Sequence, residues 1–235
     1  KSFVPQTHEA WTHQAGTTDK LKQNLLVKDE NGRLAVNFDP HLVKTLREVY
    51  YIEILNSFET NEDSGFSIPT DAGALFKQQE TYRTQVLKLD FITHTYNTFM
   101  ESMRDEDEKP LLRQELDLFE AEMAKGLREL QWADTGKIDE FIASSMKNVS
   151  DIDAVVSKMH GNLKQMQESI QEFIKKDTML PLNPSRGDKT LSETEFRKKL
   201  EENNKTRKQS LTEKGHAIHN LLADTLQSIN DLKTS

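Results

Sequence analysis

Apolar residues along this chain return at steps of three and four over most of its length, and that spacing predicts one helix after another. The longest run is Ile138, Ile142, Ser145, Val149, Ile152, Val156, Met159, Leu163, Met166, Ile170 and Phe173, which alternates four and three without a slip. A sustained heptad of this kind makes a helix about 50 Å long with a narrow seam for a partner helix. The weak helix formers at 149–151 and Gly161 mark where a kink is expected inside it.

Upstream, Asp39 caps a helix whose first position is Pro40. Leu42, Leu46 and Val49 form its main row, and Val43, Tyr50 and Ile54 widen it into a face for more than one neighbour. Residues 56–67 read as a loop. Ile68-Pro69-Thr70 opens a helix to about Met103, with a seam of Leu75, Tyr82, Val86, Leu89, Tyr96, Met100 and Met103. A charged turn at 105–109 precedes Pro110 and a helix carrying Leu112, Leu116, Phe119, Met123, Leu127 and Leu130, where Gly126 admits a close neighbour. The prolines and glycine in 179–188 predict a loop, and Ser192 with Glu195 predicts a capping box. The last helix, to about Leu232, has a basic first half (Arg197, Lys198, Lys199, Lys205, Arg207, Lys208) and a seam of Leu211, Ile218, Leu222, Ile229 and Leu232. Period two is expected only around Asn31-Gly32, where two short apolar runs flank a hairpin turn.

The predicted organisation is all-α: an extended segment at 1–23, a β-hairpin at 24–38, a helical bundle at 39–176, a loop at 177–192 and a last helix at 193–235. Short connections between long amphipathic helices predict antiparallel neighbours, hence an elongated antiparallel bundle. The residues expected to pack or form an interface are Ile142, Val149, Ile152, Val156, Met159, Leu163, Met166, Ile170 and Phe173, then Leu211, Ile218, Leu222 and Ile229.

Composition sharpens this picture. Hydrophobic residues are 35% and charged residues 30% of the 235, more polar than ordinary globular chains and suited to long helices with a wide solvated face. With no cysteine there is no disulfide, thiolate nucleophile or zinc-thiolate site, which fits a reducing compartment. A net charge of −8 argues against nucleic acid or an anionic membrane as partner, and no apolar run is long enough for a membrane span. The polar opening, 1–16, does not read as a signal peptide.

The search for chemistry returns little. Gly187-Asp188-Lys189-Thr190 has Asp188 where a phosphate loop needs glycine, and that charge repels phosphate. His216 and His219 have helical metal-ligand spacing but no evident third ligand, so they read as surface histidines. The acids at 105–108 read as a solvated turn, which cannot separate two carboxyl pKa values. The glycosylation triplets at Asn148 and Asn204 fall inside predicted helices and read as chance. The basic half-helix at 197–208, broken by Glu201 and Glu202, reads as a solvated face. No catalytic, cofactor or metal site is expected.

Several strings nevertheless coincide with one family. Val36-Asn37-Phe38-Asp39-Pro40-His41-Leu42-Val43, with Leu46-Arg47-Glu48-Val49 and Tyr51, resembles a segment in the N-terminal tail of dynein heavy chains. Tyr82-Arg83, Leu89 and Tyr96-Asn97 are similar to that family's next helix. Leu127-Arg128-Glu129-Leu130-Gln131-Trp132 resembles its Leu-x-x-Leu-x-Trp turn before a long helix, although Ala133-Asp134 replaces the usual Asn-Ser. The likeness runs in order from about Asn24 to Leu232 and looks more axonemal than cytoplasmic. It implies a structural segment that joins heavy chains, intermediate chains and light chains, far from the ATPase motor, at the cytoskeleton of a cilium or flagellum. The other reading of the seams is a cytosolic coiled-coil adaptor that binds a partner helix along 138–173.

Overall fold

The computed structural model describes residues 17–58, 68, 70–179 and 192–234. Among the described residues the fold is all-α apart from one two-stranded antiparallel hairpin. In chain order the elements are α1 (Thr17–Lys20), β1 (Leu26–Lys28), β2 (Leu34–Val36), α2 (Pro40–Phe58), α3 (Thr70–Lys77) and α4 (Gln79–Ser102). A 3₁₀ turn (Lys109–Leu112) leads into α5 (Arg113–Arg128), followed by α6 (Thr135–Met179) and α7 (Glu193–Thr234). Residues 1–16 of the extended segment expected at 1–23, 59–67 of the loop expected at 56–67 and 180–191 of the loop expected at 177–192 lie outside the described residues, while 56–58 close α2 and 177–179 continue α6. Residues 17–20, expected to be extended, form a single helical turn.

Local chemistry accounts for the boundaries. Asp39 Oδ1 accepts the His41 N–H at 2.7 Å, with Pro40 at the first helical position, so α2 starts where the sequence places its cap. The hairpin pairs Leu26 with Val36 and Lys28 with Leu34. Its turn is held by Asp29 Oδ1, which accepts the N–H groups of Asn31 (2.8 Å) and Arg33 (2.9 Å). Gly32 takes the left-handed conformation that the turn requires, at φ 77°. The helix expected across 68–103 is instead two, α3 and α4. Gln78 sits at φ −101°, ψ 8°, and its N–H bonds Leu75 O at 3.1 Å, a tightened turn that no proline or glycine announces. α6 runs through 149–151 and Gly161 as one helix of 45 residues.

The chain divides into two compact units, Lys1–Asp151 and Ile152–Ser235, so α6 contributes to both. The first is organised around the hairpin. Asn97 of α4 accepts the Leu34 N–H (3.1 Å) and donates to the Leu34 carbonyl (2.8 Å), fastening β2 to the helix. The wholly buried Trp132 donates from Nε1 to the Asn37 carbonyl at 2.7 Å and meets the Phe38 ring edge-on at 4.8 Å. Asn37 Nδ2 donates to Asn24 O (3.0 Å), and Asn24 Nδ2 to Leu127 O (2.8 Å), carrying the chain of bonds on to α5. Gly126 lets α5 approach β1 closely: a Cβ there would lie 2.9 Å from Leu26 Cδ1 and 3.0 Å from Phe141 Cζ. Leu116, Phe119 and Met123 line the buried side of this helix, as their spacing requires, with Leu112 buried in the turn before it.

The charged turn at 105–109 is not wholly solvated. Glu108 is buried, accepting the Arg104 backbone N–H at 3.1 Å and its Nε–H at 2.8 Å. A carboxylate can be buried when charged and backbone donors converge on it; the i,i+4 spacing marks the pair, but not its burial.

Candidate interaction surface

The second unit is an antiparallel helix pair made from the later part of α6 and from α7. Ser192 starts α7 with a capping box: its hydroxyl donates to Glu195 Oε2 at 2.8 Å, and its backbone N–H reaches the same oxygen at 3.0 Å. These bonds hold the Glu195 carboxyl below its ordinary value of 4.5. Lys158 bonds Asp224 at 2.8 Å, and Lys214 bonds Glu172 at 2.9 Å, which fixes the antiparallel sense.

Between these ion pairs lies a polar layer. Asn162 is buried, and its Nδ2 group donates to Thr225 Oγ1 (2.9 Å), Asp224 Oδ2 (3.1 Å) and the Leu221 carbonyl (3.3 Å). Hydrogen bonds from Lys158 and then Asn162 hold the Asp224 carboxyl below its ordinary 3.8.

The thirteen expected seam residues divide accordingly. Ile142 and Val149 are buried in the first unit; Ile152, Val156, Met159 and Ile229 are buried in the second. Met166, Phe173 and Ile218 are half-buried. Leu163, Ile170, Leu211 and Leu222 face outward, between 36% and 58% exposed. The cause is a one-residue rotation of the seam after Met159, where the inward row becomes Asn162, Met166, Ser169 and Phe173. On α7 the inward row runs through Ser210, Lys214, Ile218, Leu221 and Thr225, so Leu211 and Leu222 each stand one residue past it. Sequence reasoning missed Asn162 and Thr225 because it sought apolar side chains. Their signal is a complementary amide and hydroxyl at matching heptad positions.

The first unit also holds a cavity of about 540 Å³ between the hairpin, α4 and α5, lined in part by Asn24, Leu34, Tyr96, Glu120 and Arg128. Inside it the Tyr96 hydroxyl donates to Glu120 at 2.8 Å. Burial, then this bond, pushes the Tyr96 phenol well above its ordinary value of 10.0. On α2 the second face, expected to be buried at Val43, Tyr50 and Ile54, leaves Val43 and Tyr50 exposed and Ile54 half-buried, with Tyr51 and Leu55 exposed beside them.

His216 and His219 lie exposed on α7, and among the described residues no three His, Asp or Glu side chains are grouped to hold a metal. Nor is any described helix long and apolar enough to cross a membrane.

Fold and surface together define a helical packing segment, with a hairpin-locked first unit and apolar side chains left outward on its second. The chain belongs to the dynein heavy chains: it matches the family described as dynein heavy chain, N-terminal region 1, over residues 1–141. This is the heavy chain's N-terminal region and not its motor domain. The chain is 31% identical to the flagellar outer-arm dynein beta chain of Chlamydomonas reinhardtii over 68% of its own length and 4% of that protein's. It is 27% identical to the ciliary dynein beta chain of Heliocidaris crassispina over 95% of its length and 5% of that protein's. Similarity to dynein axonemal heavy chain 11 of Sus scrofa is 30% over 69% of the chain. The strings that carried the resemblance, around Asn37-Phe38, Tyr82, Asn97 and Trp132, meet in the bonded centre of the first unit.

Proposed function

We propose that this chain is an assembly segment of an axonemal dynein heavy-chain tail, holding other heavy chains, intermediate chains and light chains together and linking the distant ATPase motor to its anchor in the cilium or flagellum. The observation that carries the reading is the match of residues 1–141 to the heavy chain's N-terminal region. The relatives named above, flagellar and ciliary, support the axonemal location. The outward apolar residues of the second unit support a role in making contacts. In this role the segment binds no nucleotide, cofactor, nucleic acid or membrane. Its part is mechanical: packed helices resist deformation because separating them exposes many buried side chains together.

The test places Ile152→Asp in the full-length heavy chain and measures recovery of intermediate and light chains with it. Ile152 is buried, and an unpaired carboxylate there opens the helix pair. Subunit recovery should drop several-fold; recovery at wild-type levels from a variant with altered helix content would refute the assembly role.

A further inference from the structure

The two edges of the hairpin are treated differently. Asp29 N–H bonds Arg33 O at 2.9 Å, Asn37 N–H bonds Leu25 O at 2.8 Å, and Val27 pairs with Ala35 between them, so the ladder bonds fall at residues 25, 27 and 29. In an antiparallel pair the intervening residues turn their N–H and C=O groups away from the partner strand. Here those residues are Leu26 and Lys28 on β1, with Leu34 facing outward on β2. At Leu34 both groups are taken: Asn97 of α4 accepts the N–H at 3.1 Å and donates to the carbonyl at 2.8 Å. The outward groups of Leu26 and Lys28 have no such partner among the described residues.

Leu26 makes the difference matter. It is 2% exposed, and a buried backbone donor and acceptor nearly always find partners, because leaving them unmade costs as much as a lost hydrogen bond. Beside it runs the cavity of about 540 Å³, with Leu26, Val27 and Lys28 on one side and Met123, Ala124 and Leu127 of α5 on the other. Free backbone groups next to an open slot with apolar walls form a template for another strand. Main-chain bonds hold such a strand, and its alternate side chains enter the slot.

The size of the edge says where that strand comes from. The three residues of β1 span about 10 Å. A segment laid along them buries far less than the roughly 1,200 Å² that a stable complex between separate polypeptides needs. A second copy of this chain fails on the same ground. A segment of the same polypeptide needs no such area, because tethering raises its effective concentration to as much as about millimolar. Heavy chains have the length to supply one, since the stretch matched here is 4% of one relative and 5% of another.

We infer that an extended segment of the same heavy chain, from outside these 235 residues, pairs with β1 at Leu26 and Lys28 as a third strand and sets an apolar side chain into the cavity. The inference concerns contact within one heavy chain and does not rest on the assembly reading.

Two measurements on the intact heavy chain test it. A photo-crosslinking residue replaces Val27, which is 44% exposed and lies between the two open positions. Side chains facing each other across paired strands stand about 5 Å apart, within its reach, and the attached peptide is sequenced. A heavy-chain peptide from outside the 235 residues, joined with no gain in the chain's mass on a denaturing gel, supports the third strand. Attachment to a separate polypeptide, to a second heavy chain, to part of these 235 residues, or to nothing overturns it. In the second measurement Lys28→Pro removes one outward N–H while sparing the ladder bonds to β2, as edge strands allow, and Lys28→Ala is the control. With helix content unchanged, the crosslink yield should fall roughly fivefold in Lys28→Pro, the worth of one backbone hydrogen bond, and hold in Lys28→Ala. A Lys28→Pro yield equal to wild type, or an equal fall in both variants, overturns the pairing. Should Lys28→Pro lose helix content, the identity of the crosslinked peptide decides alone.

Discussion

Trp132→Ala should be the most damaging single truncation in the first unit. The side chain is wholly buried, donates to the Asn37 carbonyl at 2.7 Å and packs against Phe38 at 4.8 Å and Tyr82 at 6.3 Å between ring centroids. Removing a buried aromatic ring costs about 3–5 kcal/mol through lost transfer energy and the residual cavity. The stranded Asn37 carbonyl adds about 1–3 kcal/mol if water does not reach it. Against a domain stability of about 5–15 kcal/mol, the loss is a large fraction of the whole. Trp132→Phe separates the contributions, since it keeps an aromatic ring beside Phe38 and removes the N–H donor; about 1–2 kcal/mol is expected. Urea titration followed by circular dichroism measures both variants. A cysteine pair at Lys158 and Asp224, in a chain without native cysteine, reports the second unit separately when joined by a flexible bifunctional maleimide, and should still crosslink in Trp132→Ala. A Trp132→Ala variant that loses under about 1 kcal/mol would refute the claim that the indole locks hairpin to helices.

Further outcomes follow from single contacts. Gly126→Val should destabilise the first unit by about 1–3 kcal/mol, because its Cβ would lie 2.9 Å from Leu26 Cδ1; a melting temperature equal to wild type would count against the packing described. Ser145→Ala should be neutral or stabilise by up to about 1 kcal/mol, since Ser145 Oγ is buried with no partner among the described residues; a clear loss in thermal melts would mean the hydroxyl is bonded. The Asp224 carboxyl is held below its ordinary 3.8, so its contribution is complete above that pH and is lost as the pH falls through the depressed folded value. Helix-pair stability should therefore drop more steeply on acidification in wild type than in Asp224→Asn, and matching acid titrations would show that the bonds from Lys158 and Asn162 do not stabilise the pair.

Helix existence was legible wherever apolar residues kept the period, and so were the caps at Asp39 and Ser192, because a short polar side chain before an apolar run does one recognisable thing. The closeness of Gly126 to its neighbours was legible for the same kind of reason. What periodicity could not supply was which polar groups would be buried with their partners. Glu108 is buried where Arg104, four residues before it, donates to it, and Asn162 where Thr225 and Asp224 arrive from another helix. Reading apolarity alone carried the seam on to Leu163 and Ile170, while the folded chain turned Asn162 inward instead. The break at Gln78 left no mark in composition, since it needs only one residue outside helical geometry. As for the surface, the sequence named Leu163, Ile170, Leu211 and Leu222 but not that they stand outward, which depends on that same rotation.

The buried amide of Asn162 has a consequence for how such chains vary. Sliding α6 past α7 by one heptad would place Asn162 opposite Ile218 or Leu232, where no hydroxyl waits for it, and would part Lys158 from Asp224. Alignment is thus dictated by a keyed interior position and not by the span joining the two helices. Substitutions elsewhere along the two helices should accordingly leave that alignment in place for as long as the amide and the hydroxyl stay opposite each other.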